Sequence, residues 1–227
     1  MGTNGGVTTP TVGNLDTVLT LLETARPSVA SHSRRVATYS VRLAMQYGLP
    51  PKLIDTVRIG ALLHDVGKIL VPSRLLTKAG RLSDREWSQL QHHPVLGLEL
   101  IERLGFDDTV AEIVLYHHER ADGLGYPDGL TTDAITWPVR IVNVMDAFDA
   151  LTSPRAYRQA LSVEGARSMI AREAGSRYCP WVVSGLLSLP SRLLEPCKAD
   201  LVPPYVPDGY PNRAATWATE SWTTASV

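Results

Sequence analysis

Six histidines occur in these 227 residues, all between His32 and His118, and carboxylates accompany several of them. His64-Asp65 closes the apolar run IGALLHDVGK. A carboxylate beside an imidazole at the end of a buried helix is costly unless a positive partner satisfies both. A divalent metal ion is such a partner, since an Asp can bridge two ions while a His binds one. The alternative is a histidine that caps the helix and an aspartate bonded to backbone. His117-His118 end another apolar helical pattern, just before a glycine-rich stretch. Adjacent helical residues point about 100° apart, so both reach one cavity only if it lies at the helix end; two surface histidines are the competing reading. His92-His93 precede Pro94 at an expected helix start, one expected to face inward and the other water.

Asp146 interrupts a densely apolar helical pattern, and Asn143, Asp146 and Asp149 recur at i, i+3, i+6 along one stripe. That stripe is either a solvated edge or the wall of a polar cavity, and the apolar neighbours favour the cavity. Imidazoles and carboxylates on separate helices are how helical bundles build metal sites. With no thiolate among them the set does not suit a structural zinc finger, and its mixed N/O character suits Fe, Mn, Zn or similar ions.

The elements that must position these groups read as helices. Leu15, Val18, Leu19 and Leu22 keep helical spacing up to Pro27, and Ser28 or Ser31 is expected to cap the next helix. Val36, Tyr39, Ser40, Leu43 and Ala44 form its inner stripe, and Gly48 ends it. Residues 52–66 read as a largely buried helix and 70–83 as an ordered loop. Ser83 with Glu86 forms a capping box, and Pro94 suits a first helical turn. Further helices are expected over 108–118, 138–151, 162–175 and 180–189, with a turn-rich loop over 122–130. Period-2 alternation is scarce, so the expected fold is an all-α bundle with a long functional loop. Residues 1–14 are expected to be a flexible N-terminal tail and 15–195 the domain. Residues 196–227, rich in Pro, Thr and Ala and carrying Trp217 and Trp222, are expected to be disordered or to dock those aromatics.

Composition narrows the partners. Hydrophobic residues make up 44% and the net charge is −1, so a core is affordable and no electrostatic case exists for nucleic acid or an anionic membrane. No apolar run reaches the roughly 18 residues of a membrane span. The first residues show no secretory signal, and Cys179 and Cys197 are too few for a disulfide framework, which sets the expected location as the cytoplasm.

The motifs resemble a known family. His64-Asp65 matches the doublet of the HD phosphohydrolases, and HHERADGLGYP (117–127) resembles the extended motif of the HD-GYP subfamily, with Gly125-Tyr126-Pro127 as its GYP. HSRRVA (32–37), LLHDVGK (62–68), HHPVLG (92–97) and DAFDALTSPRAYR (146–158) follow the family pattern in order, so the likeness covers about residues 15–190. It implies an HD-domain helical bundle with a long GYP loop and a dinuclear metal site, acting as a bacterial phosphodiesterase for the second messenger cyclic di-GMP.

The same resemblance assigns roles. His32, His64, Asp65, His93, His117, His118 and Asp146 would be metal ligands, with Asp65 bridging two divalent ions, Fe or Mn by expectation. Lys68 would sit at the site beside phosphate or the attacking water, and Asp65 and Lys68 would carry the catalysis. Tyr126 and Gly125 of the loop would meet the nucleotide, the glycine letting backbone approach it closely, and Arg155 and Arg158 would grip phosphates. A metal-bridging hydroxide would open cyclic di-GMP to pGpG, and a second round would give GMP. Three departures qualify this. Ser28 stands where three-metal members carry Glu, which implies two metals. Cys179 replaces a frequent Asp. No sensory domain accompanies the motifs, so regulation is expected from oligomerisation, a partner or expression. The competing functions are hydrolysis of another cyclic dinucleotide such as hybrid cyclic GMP-AMP, and a non-catalytic module that senses cyclic di-GMP or docks a diguanylate cyclase through the GYP loop. A generic helical interaction protein leaves the clustered histidines unexplained.

Overall fold

The computed structural model describes residues 12–154 and 159–195. Among the described residues ten helices run α1 Val12–Ala25, α2 Pro27–Gln46, α3 Pro51–Leu63, α4 Ser73–Leu76, α5 Asp84–Gln91, α6 His93–Arg103, α7 Asp108–Tyr116, α8 Trp137–Thr152, α9 Val163–Arg172 and α10 Pro180–Ser188. Short 3-10 turns cover Val66–Ile69, Thr132–Ala134 and Ser191–Leu193. Among the described residues β pairing is limited to two isolated bridges, Asp122 with Thr131 and Ala174 with Tyr178, so the expected all-α bundle is what forms.

Helix α2 is the spine. It packs on α3, α8 and α1, and its buried face includes the expected Val36, Tyr39, Ser40, Leu43 and Ala44. The larger apolar cluster joins that face to Ile141, Met145 and Phe148 of α8 and Val182 and Leu186 of α10. A smaller cluster, with Val18, Leu63, Ile101 and Val110, lies under α1, α6 and α7. Helix α3 feeds both, Val57 and Ala61 into the first and Leu63 into the second, which is why its last residues, IGALL, carry no polar side chain.

Several boundaries differ from expectation. Helix α2 starts directly at Pro27 with no side-chain cap, so Ser28 and Ser31 are helical; the ring of Pro27 already supplies a helical φ without needing an N–H partner. Helix α3 stops at Leu63, and the chain tightens into a 3-10 turn after Asp65. The expected loop at 70–83 contains the one-turn helix α4. Helix α7 ends at Tyr116, leaving His117 as its cap. Helix α1 begins within the expected N-terminal tail. The capping box forms as read, Ser83 accepting from the Glu86 amide and Glu86 from the Ser83 amide. The proposed C-terminal tail, Arg155 and Arg158 lie outside the described residues.

One contact fixes the 3-10 turn against α6. A Cβ on Gly67 would sit 1.9 Å from the His93 carbonyl oxygen and 2.6 Å from the Gly97 amide nitrogen, both backbone atoms that cannot swing away. The glycine of HDVGK therefore lets the segment bearing Asp65 and Lys68 lie flush on the start of α6. Gly67→Ala is expected to cost about 1–3 kcal/mol by overpacking, read as a lowered midpoint in thermal unfolding.

Candidate metal centre

Three helix ends and two helix flanks converge on a buried polar cluster. His64 is the C-terminal cap of α3, His117 caps α7 with His118 next to it, and His93 opens α6. His32 projects from α2 and Asp146 from α8. His64, Asp65, His93 and His117 are at most 2% exposed, whereas His92 is exposed, as expected of that pair.

Two groups of donor atoms share one residue. Asp65, His93, His117 and His118 form one set and His32, His64 and Asp65 the other, each with ligand atoms within 4.8 Å of one another. Oδ1 of Asp65 lies 3.2 Å from His93 Nε2 and 3.7 Å from His117 Nε2. Its Oδ2 lies 3.5 Å from His64 Nε2 and 3.9 Å from His32 Nε2. Asp146 joins the second set through its Oδ1, 3.0 Å from His32 Nε2. The cluster thus has the composition and spacing of a dinuclear divalent-metal centre with Asp65 between the halves.

The hydrogen bonds behind these groups test the fit. His64, His93 and His117 each direct Nδ1 at the carbonyl oxygen three residues earlier, Ala61, Leu90 and Val114, at 2.7, 2.7 and 3.0 Å. A carbonyl only accepts, so each Nδ1 carries the proton and each Nε2 presents a lone pair to the cluster. His64 Nε2 and Asp65 Oδ1 are buried without a hydrogen-bond partner. Buried polar atoms left this way are unfavourable, and a cation between them satisfies both.

Charge follows the same logic. Burial pushes His64 down to about 4 and lowers His93, against the pull of Asp65. Burial and the neighbouring His117 hold His118 well below the usual value. These rings are neutral at pH 7, the form that binds metal. Burial opposes charge on Asp65, yet Lys68 and His64 hold its carboxyl well below the ordinary range. Asp146 is lowered likewise, His32 outweighing burial. His32 is the exception: burial disfavours its charge, but Asp146 and Asp149 raise it to about 9.

Most predicted residues meet here. Lys68 Nζ is 2.5 Å from Asp65 Oδ2. The Tyr126 ring lies 4.8 Å from that of His118, and both line a cleft of about 1060 Å³ with His32, Asp65 and Lys68. Gly125 also borders the cleft, but its close approach is to the loop's own backbone: a Cβ there would lie 2.4 Å from the Arg120 amide. The Asn143, Asp146 and Asp149 stripe faces the cavity, with Asn143 donating to the carbonyls of His117 and Glu119. Glu119 went unrecognised as a structural anchor. It is 2% exposed and accepts from the amides of Asp128, Gly129 and Leu130 at 2.7–3.0 Å, closing the loop on itself. A lone carboxylate just after two histidines was the available signal.

The metal-free protein should be most stable near pH 6.5. His64, His93 and His118, neutral in the fold, must take up protons on unfolding as pH falls below their ordinary 6.5, so stability drops on acidification. His32 has the opposite sign: its contribution is complete below 6.5 and lost as pH rises through about 9. Thermal midpoints in chelator are expected to fall on both sides, and Mn(II) affinity to rise from pH 6.5 to 9 as His32 surrenders its proton. A flat stability profile over that range would contradict the assigned ring charges.

Comparison with known proteins identifies the family. An HD domain family model matches residues 16–182. A cyclic di-GMP phosphodiesterase response regulator of Xanthomonas campestris is 39% identical over 157 residues, 68% of this chain and 42% of that protein. A 3'3'-cGAMP-specific phosphodiesterase 2 of Vibrio cholerae is 36% identical over 168 residues, 73% of this chain and 32% of that protein. The chain therefore spans well under half the length of these relatives. Among solved structures, an HD-GYP-type protein of Bdellovibrio bacteriovorus aligns with TM-score 0.59 and 25% identity, over 70% of this chain and 51% of that one. No helix among the described residues is long and apolar enough to cross a membrane. With the matched model spanning the very helices that bring His32, His64-Asp65 and Asp146 together, this chain belongs to the HD domain family and is of the HD-GYP-like kind.

Proposed function

We propose that the chain is a metal-dependent phosphodiesterase of cyclic dinucleotides, with cyclic di-GMP as substrate and pGpG, then GMP, as products. The observation that carries this reading is the pair of donor sets sharing Asp65 on the wall of a cleft of about 1060 Å³. That volume lies at the upper end of ordinary small-molecule pockets and suits a substrate larger than a nucleoside monophosphate.

In this reading His32, His64, Asp65 and Asp146 hold one ion and His93, His117, His118 and Asp65 the other, with Fe or Mn matching the mixed N/O donors. When bound, the two ions supply Lewis acidity and a water acidified toward neutral pH for attack at phosphorus. The chain's own groups do the rest. Asp65 fixes the separation of the two halves. Lys68, its ammonium on the cleft wall, neutralises charge that grows on the phosphate oxygens. Burial and the Asp65 and Asp146 carboxylates push the Tyr126 phenol above its ordinary range, so it stays protonated and donates to the nucleotide. Arg155 and Arg158 add positive charge for the second phosphate. The neutral, buried imidazoles exclude bulk water from the reacting side.

A second substrate has specific support, since a relative of similar identity is named as specific for 3'3'-cGAMP. Protein loaded anaerobically with Fe(II) or Mn(II) and given each dinucleotide separately is expected to convert cyclic di-GMP to pGpG, resolved by chromatography. Turnover confined to 3'3'-cGAMP would replace the substrate; turnover of neither would overturn the enzymatic reading. Asp65→Ala is expected to abolish both activity and metal binding. Lys68→Gln is expected to lower kcat about 10²–10³-fold while two ions stay bound.

A further inference from the structure

Behind the metal centre the two halves are built differently. His64, His93 and His117 lean on backbone carbonyls, which are neutral. His32 leans on a side chain. Its Nδ1 lies 2.7 Å from Asp149 Oδ2, and Asp149 is 1% exposed. Asp149 is gripped in turn by the Arg35 fork, Nε to Oδ1 at 2.6 Å and Nη2 to Oδ2 at 2.9 Å, and accepts from Ser153 Oγ at 3.2 Å. Arg35 is steadied by donating to Ser31 Oγ one turn away. A carboxylate held in such a fork is ionised and only accepts. The proton between Asp149 and His32 therefore sits on Nδ1, leaving Nε2 as the metal-facing atom.

We infer that Asp149, clamped by Arg35, is a positioning residue for one half of the centre only: it fixes the tautomer and aim of His32, and so governs the ion held by His32 and Asp146 but not the ion held by His93, His117 and His118. The inference rests on the dinuclear reading above. Its physical content is local. Asp149 hydrogen-bonds His32 and none of the rings of the other half, where Leu90 and Val114 set the tautomers of His93 and His117. An Asn at position 149 has nearly the same shape but can present its NH2 to His32 Nδ1, which would drive the proton to Nε2 and remove the lone pair an ion needs.

The test is a Mn(II) titration of chelator-stripped protein at pH 7.5, with free Mn(II) counted by electron paramagnetic resonance. The wild type is expected to bind two ions per chain. Asp149→Asn is expected to bind one with unchanged affinity and the second about 10–100-fold more weakly. Arg35→Lys, which keeps the charge but loses the fork, is expected to weaken the same ion by less. A metal-free melting curve for each variant separates misfolding from the predicted effect. Two ions bound by Asp149→Asn with wild-type affinities would overturn the inference, as would equal weakening of both ions in a folded variant. A wild type that binds fewer than two ions would instead overturn the dinuclear reading itself.

Discussion

Everything around the site answers the demand made by one ionised carboxylate, Asp65, at 2% exposure. A charge removed from water is tolerable only where opposite charge or strong donors surround it. In the metal-free protein the positive partners are Lys68 from the 3-10 turn and His32 from α2, while His93 from the start of α6 and His117 from the end of α7 turn Nε2 lone pairs toward the same carboxylate, an arrangement that a cation between them would satisfy. None of these elements is adjacent to all the others in sequence. The packing of α2, α3, α6 and α7 is therefore tied to the neutralisation of one side chain, and the apolar clusters on either side hold the bundle in the register that neutralisation needs.

The backbone contributes to the same electrostatics. Helices α3 and α7 both point their C-terminal ends, the negative ends of their dipoles, at the cluster. Two such ends and several carboxylates make a region that favours cations before any ligand geometry is considered. In the metal-free protein part of that role falls to the raised His32 and to Lys68.

Much of this was legible in the sequence, and the reasons are physical. The helices were readable because their apolar stripes are long and their stops are Pro27, Gly48 and Pro50-Pro51. The clustering was suggested by the joint occurrence of histidines and aspartates at the ends of apolar helices, each signal modest alone, and the candidate ligand set came from the resemblance carried by the long HHERADGLGYP motif; the structure brings its His and Asp donors together. What could not be read were features that depend on tertiary approach. That Asn143 bonds the turn after α7, that Glu119 knots the loop, and that Gly67 admits the start of α6 are facts about which backbones touch. The Ser28 and Ser31 cap failed for a local reason, since Pro27 itself begins the helix.

The tilted contact between the Tyr126 and His118 rings ties the loop that borders the cleft to the histidine cluster mechanically. Three of the clustered imidazoles are held by Nδ1 to the carbonyl three residues earlier, but His118 is wedged between the rings of His117 and Tyr126. Tyr126 belongs to a loop whose shape is kept by one internal carboxylate, Glu119, and whose amide at Tyr126 returns to the His118 carbonyl. A molecule that leans on Tyr126 therefore leans on His118 as well. The loop is the outer arm of a lever whose inner arm is a histidine of the cluster, so filling the cleft and adjusting the cluster are a single displacement.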